Sequence, residues 1–509
     1  MKKRCYPLLG LCFVLLQPTM PAFAAAAPAE EAPARAEPPA PPPPFKSVTA
    51  HKLATPKGEL RYSVTAEEIY LRDAEDKATA SFFTISYALD GVKDKDQRPV
   101  TFVFNGGPGS SSIWLHFGLV GPRIIDVPSD ASSPAGPPYK VRDNPFTLLR
   151  ATDLVFVDPV GTGFSKALGE KKNEDFWGFD QDADSVAEFI RTFITVHNRW
   201  NSPKYVLGES YGGIRSSLLV PRLQQQMHIN LSGVILISPA INMLTLPFVV
   251  VGNDLPNATH LPALAATAYY HRKLPDTWPD LKTFLAEVEA YAGGEYLQAL
   301  FRGDALTPEE RKQVARRLHR YTGLSETYIL RSDLRIFAQR FTKELLREEG
   351  KAVALIDGRY AQDELDDVAA FADGDPFGAR TSPVYLPLFQ SYLKSELGVD
   401  WTRPFATINL EANGKWKRPG DDGAFAGFVD VTVGLAQGTR DNDHLRIFSG
   451  SGYHDLTTSY FATRYMLSHG GIDRERLTIK DYEGGHMMYL YQPSLEALSN
   501  DLVKFIEAR

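Results

Sequence analysis

Three glycines crowd a single serine in "VLGESYGGIR", residues 206–215, directly after an apolar run. A serine hydroxyl becomes a nucleophile only when a neighbouring base takes its proton. A G-x-S-x-G pentapeptide with a strand before it ("YVL") and a helical stretch after it ("IRSSLLVPRLQQQM") fits a sharp strand-to-helix turn that exposes the central Oγ. Ser210 is therefore the candidate nucleophile, and an ordinary glycine-rich turn is the competing reading. On such a scaffold the partners follow in the order serine, acid, histidine. Of 11 histidines, His486 in "YEGGHMMYLYQP" is the best placed, after the last strand signal and in a loop whose glycines let it reach back over a sheet. The acid that orients it should follow the preceding strand, where "RIFSGSGYHDLTTSY" supplies Asp455. Asp441 and Asp443 precede that strand, and Asp481 lies within or just beyond the last one. His454 beside Asp455 raises a metal pairing with His486, but no H-x-x-x-H or H-E-x-x-H spacing accompanies it, so no metal is expected.

Attack on a carbonyl also needs donors for the developing oxyanion. "FVFNGGPGSSS" at 102–112 ends a strand in a glycine run whose amides can point inward. Gly107 N–H is one candidate donor, and the N–H of Tyr211, after the nucleophile, is the other. A phosphate loop is the alternative for the glycine run, but the lysine and Ser/Thr of a P-loop are missing and "GGPG" lacks dinucleotide spacing.

These residues need a scaffold of alternating strands and helices. Apolar or β-rich runs recur between 59 and 240 ("LRYSV", "SFFTISYAL", "PVTFVFNGG", "DLVFVDPVG", "KYVLGES", "GVILISPA") and return at "LRIFSG" and "LTIKDY". Several are continuously apolar, which suits strands buried on both faces. Between them, "DQDADSVAEFIRTFITVHNRW" places Val186, Phe189, Ile190 and Phe193 at helical spacing, with an acidic start that suits the helix dipole. The pattern predicts an α/β fold with a mostly parallel central sheet. From about 242 to 440 strand signals are sparse. "TPEERKQVARRLHRYTG" (307–323) predicts a helix with Thr307 as cap, Glu310 completing a capping box and Gly323 as stop. "DLRIFAQRFTKELLREEG" (333–350) predicts another, and "SLEALSNDLVKFIEAR" closes the chain. The expected organisation is 45–241 and 441–509 as two parts of one α/β domain, with 242–440 a mainly helical cap inserted between them.

The chain has 509 residues, 43% apolar and 23% charged, enough for a sizeable core. The net charge of −7, without a basic patch, argues against nucleic acid as a partner. Residues 1–24 predict a signal peptide: "MKKR" is the positive start, "YPLLGLCFVLL" is short for a membrane span, and "AFA" at 22–24 offers a cleavage site after Ala24, with Ala26 or Ala27 as alternatives. A retained anchor is the competing reading, and a lipoprotein at Cys12 fits poorly because Leu11 precedes it. Cleavage would remove Lys2, Lys3, Arg4 and both cysteines, Cys5 and Cys12, taking the charge from −7 to −10 and leaving no disulfide to form. A periplasmic or secreted location follows, with no stable membrane anchor. Residues 25–44, rich in Ala and Pro, predict a disordered linker. Nothing in the sequence fixes the oligomeric state.

Taken in order, "NGGPGSSS", "DLVFVDPVGTGFS", "GESYGG", "IFSGSGYHD" and "GGHMMYLYQP" resemble the successive blocks of the serine carboxypeptidase family, over about residues 80 to 505. "VALIDGRY" and "PVYLPLFQSYLKSELGVD" resemble its cysteine-free bacterial branch. The resemblance implies an α/β-hydrolase fold with a cap, and a Ser210–His486–Asp455 triad with Gly107 and Tyr211 as oxyanion donors. It implies peptide substrates that lose a C-terminal residue, without metal or cofactor. It also implies that Asn105, Gly106 and Glu209 bind the substrate's C-terminal carboxylate. One expected group is missing: the family's second glutamate falls on Leu119 in "FGLVGPR", which leaves Glu209 as the only carboxyl of the usual pair. That weakens the expected demand for a free C terminus. An esterase or other acyl hydrolase with the same triad is the first alternative, and a catalytically dead binding protein of this fold is the second.

Overall fold

The computed structural model describes residues 41–56, 58–247, 252–418 and 429–508. The expected signal segment 1–24 and residues 25–40 of the expected linker lie outside the described residues; 41–44 have no regular secondary structure.

The strands of the central sheet are β1 (Lys46–Thr55), β2 (Gly58–Arg72), β3 (Ala78–Leu89), β4 (Val100–Phe104), β5 (Asp153–Val157), the two-residue β6 (Lys166–Ala167), β7 (Lys204–Glu209), β8 (Gly233–Ile237), β9 (Arg446–Gly452) and β10 (Leu477–Tyr482). Their order is β1-β2-β3-β5-β4-β7-β8-β9-β10, with β6 on β3. β5, β4, β7, β8, β9 and β10 run parallel, whereas β1, β2 and β3 form antiparallel hairpins at one edge. The sheet is the mostly parallel one that the sequence predicts.

Its central strands are apolar on both sides, and the two-residue period of a strand sends alternate side chains to opposite faces. Val103, Leu207, Ile235 and Ile237 enter one apolar cluster; Phe102, Phe104, Val206, Val234 and Leu236 enter the other. On the second face lie α1 (Phe179–Val196) and α2 (Tyr211–Pro221), which supply Val186, Phe189, Ile190 and Ile214.

Between β8 and β9 the chain is mainly helical. α3 (Leu255–Tyr270) and α4 (Pro308–Thr322) belong to a third apolar cluster with the helices Leu281–Tyr291, Leu297–Arg302, Glu326–Arg331 and Ala338–Glu344. α4 has the predicted capping box, with Thr307 and Glu310 bonded reciprocally, and Gly323 ends it in the left-handed region at φ 70°. The predicted helix 333–350 is shorter: Asp333 and Leu334 take φ of 53° and 64°, and the helix runs only Ala338–Glu344 before a single 3-10 turn. α5 (Pro376–Ser395) returns to the first cluster, packing Val384, Tyr385 and Phe389 beneath the sheet. After β9 come α6 (Tyr460–His469) and, after β10, the closing helix α7 (Gln492–Glu507).

Candidate active site

Four strand ends converge on one cavity of about 370 Å³, lined by Asn105, Gly106 and Gly107 after β4, Glu209 at the end of β7 and Ser210 after it, Thr457 after β9, and His486 and Met487 after β10. Two larger cavities of 620 and 740 Å³ lie elsewhere and include neither Ser210 nor His486, so chemistry rather than size selects the site.

Ser210 occupies the turn between β7 and α2 with φ 61° and ψ −124°, a conformation that costs a non-glycine residue energy. The surroundings hold it there: Ser210 N–H donates to Ile237 O at 3.0 Å, and Ser210 O accepts from Gly213 and Ala240. Gly106 makes the close approach possible, since a Cβ there would lie 2.7 Å from Glu209 O and 2.8 Å from Ser210 Cβ. The same contact brings the Gly106–Gly107 segment against Tyr211 N, the first helical N–H of α2 and one of the donors a helix leaves unpaired.

His486 and Asp455 meet. The His486 Nδ1–H donates to Asp455 Oδ2 at 2.7 Å, which turns Nε2 away as the free ring nitrogen. Asp455 is fully buried and accepts from Thr457 N–H and Thr458 N–H at 2.8 and 2.9 Å and from the Thr458 hydroxyl at 2.7 Å. Burial alone would raise its pKa, but the His486 charge and these donors outweigh it and hold the carboxyl below the usual range. Burial pulls His486 down, yet the Asp455 charge and hydrogen bond, helped by Glu209, raise it overall. The His486 backbone is pinned on both sides, its N–H to Ile356 O at 2.7 Å and its carbonyl accepting from the Ser238 hydroxyl at 2.8 Å. The other candidate acids are engaged elsewhere: Asp441 with Gln225 and Gln437, Asp443 with Arg476, Asp481 with Arg464. His454 is buried against the Tyr270 ring, and burial takes its pKa to about 3.

Glu209 is buried beside the nucleophile and lifted to about 7, chiefly by desolvation. Asn105 Nδ2 donates to its Oε2, and the Tyr489 hydroxyl donates to its Oε1 at 2.8 Å. Asn105 is itself fixed: its Oδ1 accepts from Leu115 N–H at 3.1 Å, and its carbonyl accepts from Arg215 at 2.7 Å. Arg215 is completely buried and pairs with Asp182 of α1. Leu119 lies in the apolar cluster, outside the cavity lining, so position 119 brings no second carboxyl to Glu209.

Arg215, Asp182, Thr458 and Tyr489 escape sequence reasoning. Asp182 is legible only as part of an acidic helix start, whereas it is the buried partner of an arginine 33 residues away. Tyr489 stands one turn beyond His486, and its partner Glu209 is 280 residues distant, a separation that no local pattern marks.

Residues 56–251 match the family model for serine carboxypeptidases. Human retinoid-inducible serine carboxypeptidase is 32% identical over 139 residues, covering 26% of this chain and 26% of that protein. A pheromone-processing carboxypeptidase of Yarrowia lipolytica is 31% identical over 144 residues, 28% of this chain and 21% of that one. The match thus spans about a quarter of the relatives' own length. Among solved structures, a prohormone-processing carboxypeptidase of Saccharomyces cerevisiae superposes with a TM-score of 0.56 at 16% identity, covering 88% of this chain and 91% of that chain. The fold is that of the α/β hydrolases.

Proposed function

We propose that this chain, whose residues 56–251 match the serine carboxypeptidase family model, hydrolyses peptides at their C-terminal bond through an acyl-enzyme on Ser210. The observation that carries the reading is one cavity holding a strained serine, a buried His–Asp pair and a buried glutamate. His486 Nε2 takes the Ser210 proton as Oγ attacks the scissile carbonyl, and Asp455 fixes the tautomer and balances the imidazolium. Gly107 and Tyr211 N–H groups meet the oxyanion. The imidazolium returns the proton to the leaving amine, and the amino acid departs. Water, deprotonated by His486, then attacks the acyl carbon and frees Ser210. Asn105, Gly106 and protonated Glu209 hold the substrate's terminal carboxylate. No metal or cofactor enters these steps.

A fluorophosphonate should label the wild type at Ser210 and leave Ser210→Ala unlabelled. A peptide library should lose single C-terminal residues only with the wild type. Labelling elsewhere, or equal turnover by Ser210→Ala, contradicts the mechanism.

A broader acyl hydrolase is the second reading. The cavity is walled by Trp114, Ile356, Phe377, Ile408 and Met487, and among the described residues no Arg or Lys lines it to attract a carboxylate. Faster turnover of simple esters than of any peptide would favour it.

We also infer export, from the first 24 residues. Among the described residues no helix is long and apolar enough to cross a membrane. The exported protein should begin at Ala25 on N-terminal sequencing; retention of Met1 in a membrane fraction would contradict this.

A further inference from the structure

Both oxygens of Glu209 are occupied, and the partner on Oε1 is a tyrosine. Tyr489 lies in the 3-10 turn Met488–Leu490, is 2% exposed, and packs its ring over Gly118, where a Cβ would be only 3.0 Å from Cδ2. Its hydroxyl reaches Glu209 Oε1 at 2.8 Å from the side opposite Asn105. We propose that Tyr489 is the positioning residue that aims Glu209 into the cavity and sets the pH above which the site stops accepting a substrate's free carboxylate. The proposal rests on the carboxypeptidase reading.

A substrate carboxylate can lie beside Glu209 only if a proton sits between them, since two like charges repel at that range. Which group supplies the proton decides the pH range. Burial pushes the Tyr489 hydroxyl well above its ordinary value, so its proton stays in place throughout the working range. The proton that comes and goes is then that of Glu209 alone. The groups facing Glu209 come from five places: His486 and Asp455 from the loops after β10 and β9, Asn105 from the loop after β4, Tyr489 from the turn after His486, and Tyr385 from α5. Burial raises Glu209 most, and Asp455 adds to it; the His486 charge and the Tyr489 and Asn105 hydrogen bonds oppose. The Tyr385 hydroxyl is buried with no partner among the described residues, so it does not share the load. Tyr489 thus stabilises the ionised form. It keeps the loss of affinity for free acids near neutrality, where burial unopposed would move it higher.

Tyr489→Phe keeps the ring and removes the donor. The Glu209 carboxyl can be followed directly by 13C NMR of Glu-labelled protein, with Glu209→Gln identifying the resonance. The wild type should titrate near 7 and Tyr489→Phe about one unit higher, the size expected for one hydrogen bond to a charged group. In parallel, kcat/KM for a matched free-acid and amide peptide should show a falling limb for the acid alone, and that limb should move with the NMR midpoint. An unmoved midpoint in Tyr489→Phe overturns the proposal, for the tyrosine would then be packing only. A midpoint that moves while the free acid shows no limb upholds the Tyr489–Glu209 pair and counts instead against the carboxypeptidase reading.

Discussion

Ser210 at φ 61° is held by three backbone hydrogen bonds in a conformation it would leave if free, and in the proposed mechanism its hydroxyl gains a base through His486. His486 in turn depends on Asp455, which accepts four hydrogen bonds with no exposure to water. The pair raises the proton affinity of the imidazole and lowers that of the carboxyl, so an ionised Asp455 stabilises the imidazolium that forms in the proposed mechanism. Asp455→Asn should cut kcat by roughly three to four orders of magnitude with little change in KM, because the amide presents the wrong hydrogen-bonding pattern to Nδ1. Asp443→Asn, on the ion pair with Arg476, should behave as wild type. Steady-state kinetics on both variants checks the assignment; the reverse result would move the acid to Asp443.

Among the elements, the loop after β4 and the elbow after β7 touch so closely that only glycine fits between them at 106. Gly106→Ala should therefore separate Gly107 from Tyr211 and cost about 1–3 kcal/mol by overpacking. It should also lower kcat by roughly two orders of magnitude through displaced oxyanion donors. Thermal unfolding and kcat measured on one preparation test both, and a variant that keeps both at wild-type values would show that the two N–H groups do not work together. The elbow was legible from sequence because its glycines, its preceding strand and its following helix are contiguous. β4, β5, β7 and β8 were legible because they are apolar on both faces. β1 was not, since in "KSVTAHKLAT" the apolar Val48, Ala50 and Ala54 are exposed while Ser47, Thr49 and His51 are half-buried, so polarity does not mark its faces, and the strand is fixed by pairing with β2. The start of the 333–350 segment was misread because its helical periodicity hides two left-handed residues. Of the site, Ser210, His486 and Asp455 could be placed by strand order, whereas Tyr489, Arg215 and Asp182 act through partners that only the folded chain brings close.

Across the whole molecule, buried titratable groups set how stability answers to acid. His116, His260 and His454 are held neutral by burial, to about 3, 4 and 3. A histidine with a depressed folded pKa contributes stability that is complete above about pH 6.5 and is lost as pH falls, because the unfolded chain takes a proton the folded chain refuses. Buried Asp158 and Glu209, raised by desolvation to about 6 and about 7, act in the opposite sense: the folded chain takes their protons first, so stability is gained as pH falls toward 4. At pH 5 the histidines cost about 2 kcal/mol each and the two carboxyls return roughly 4 kcal/mol together. Near pH 4 the carboxyl gain is exhausted while the histidine loss continues. Calorimetry should show Tm falling modestly between pH 7 and 5, for a net loss of about 2 kcal/mol, and more steeply below about 4; a Tm that climbs steadily down to pH 4 would contradict the buried neutral histidines.

In the proposed reaction this cavity recognises a peptide by its free C terminus and cuts the bond beside it. The direct measurement is kcat/KM at pH 6 for one N-acyl dipeptide as its free acid and as its amide, with Ser210→Ala as control. At that pH Glu209 is mostly protonated and can give a hydrogen bond to a carboxylate, a charge-assisted interaction of about 1.5–3 kcal/mol that the amide forgoes. The free acid should be cleaved at least about tenfold more efficiently, releasing its terminal amino acid, and Ser210→Ala should cleave neither. Equal or faster cleavage of the amide would contradict it.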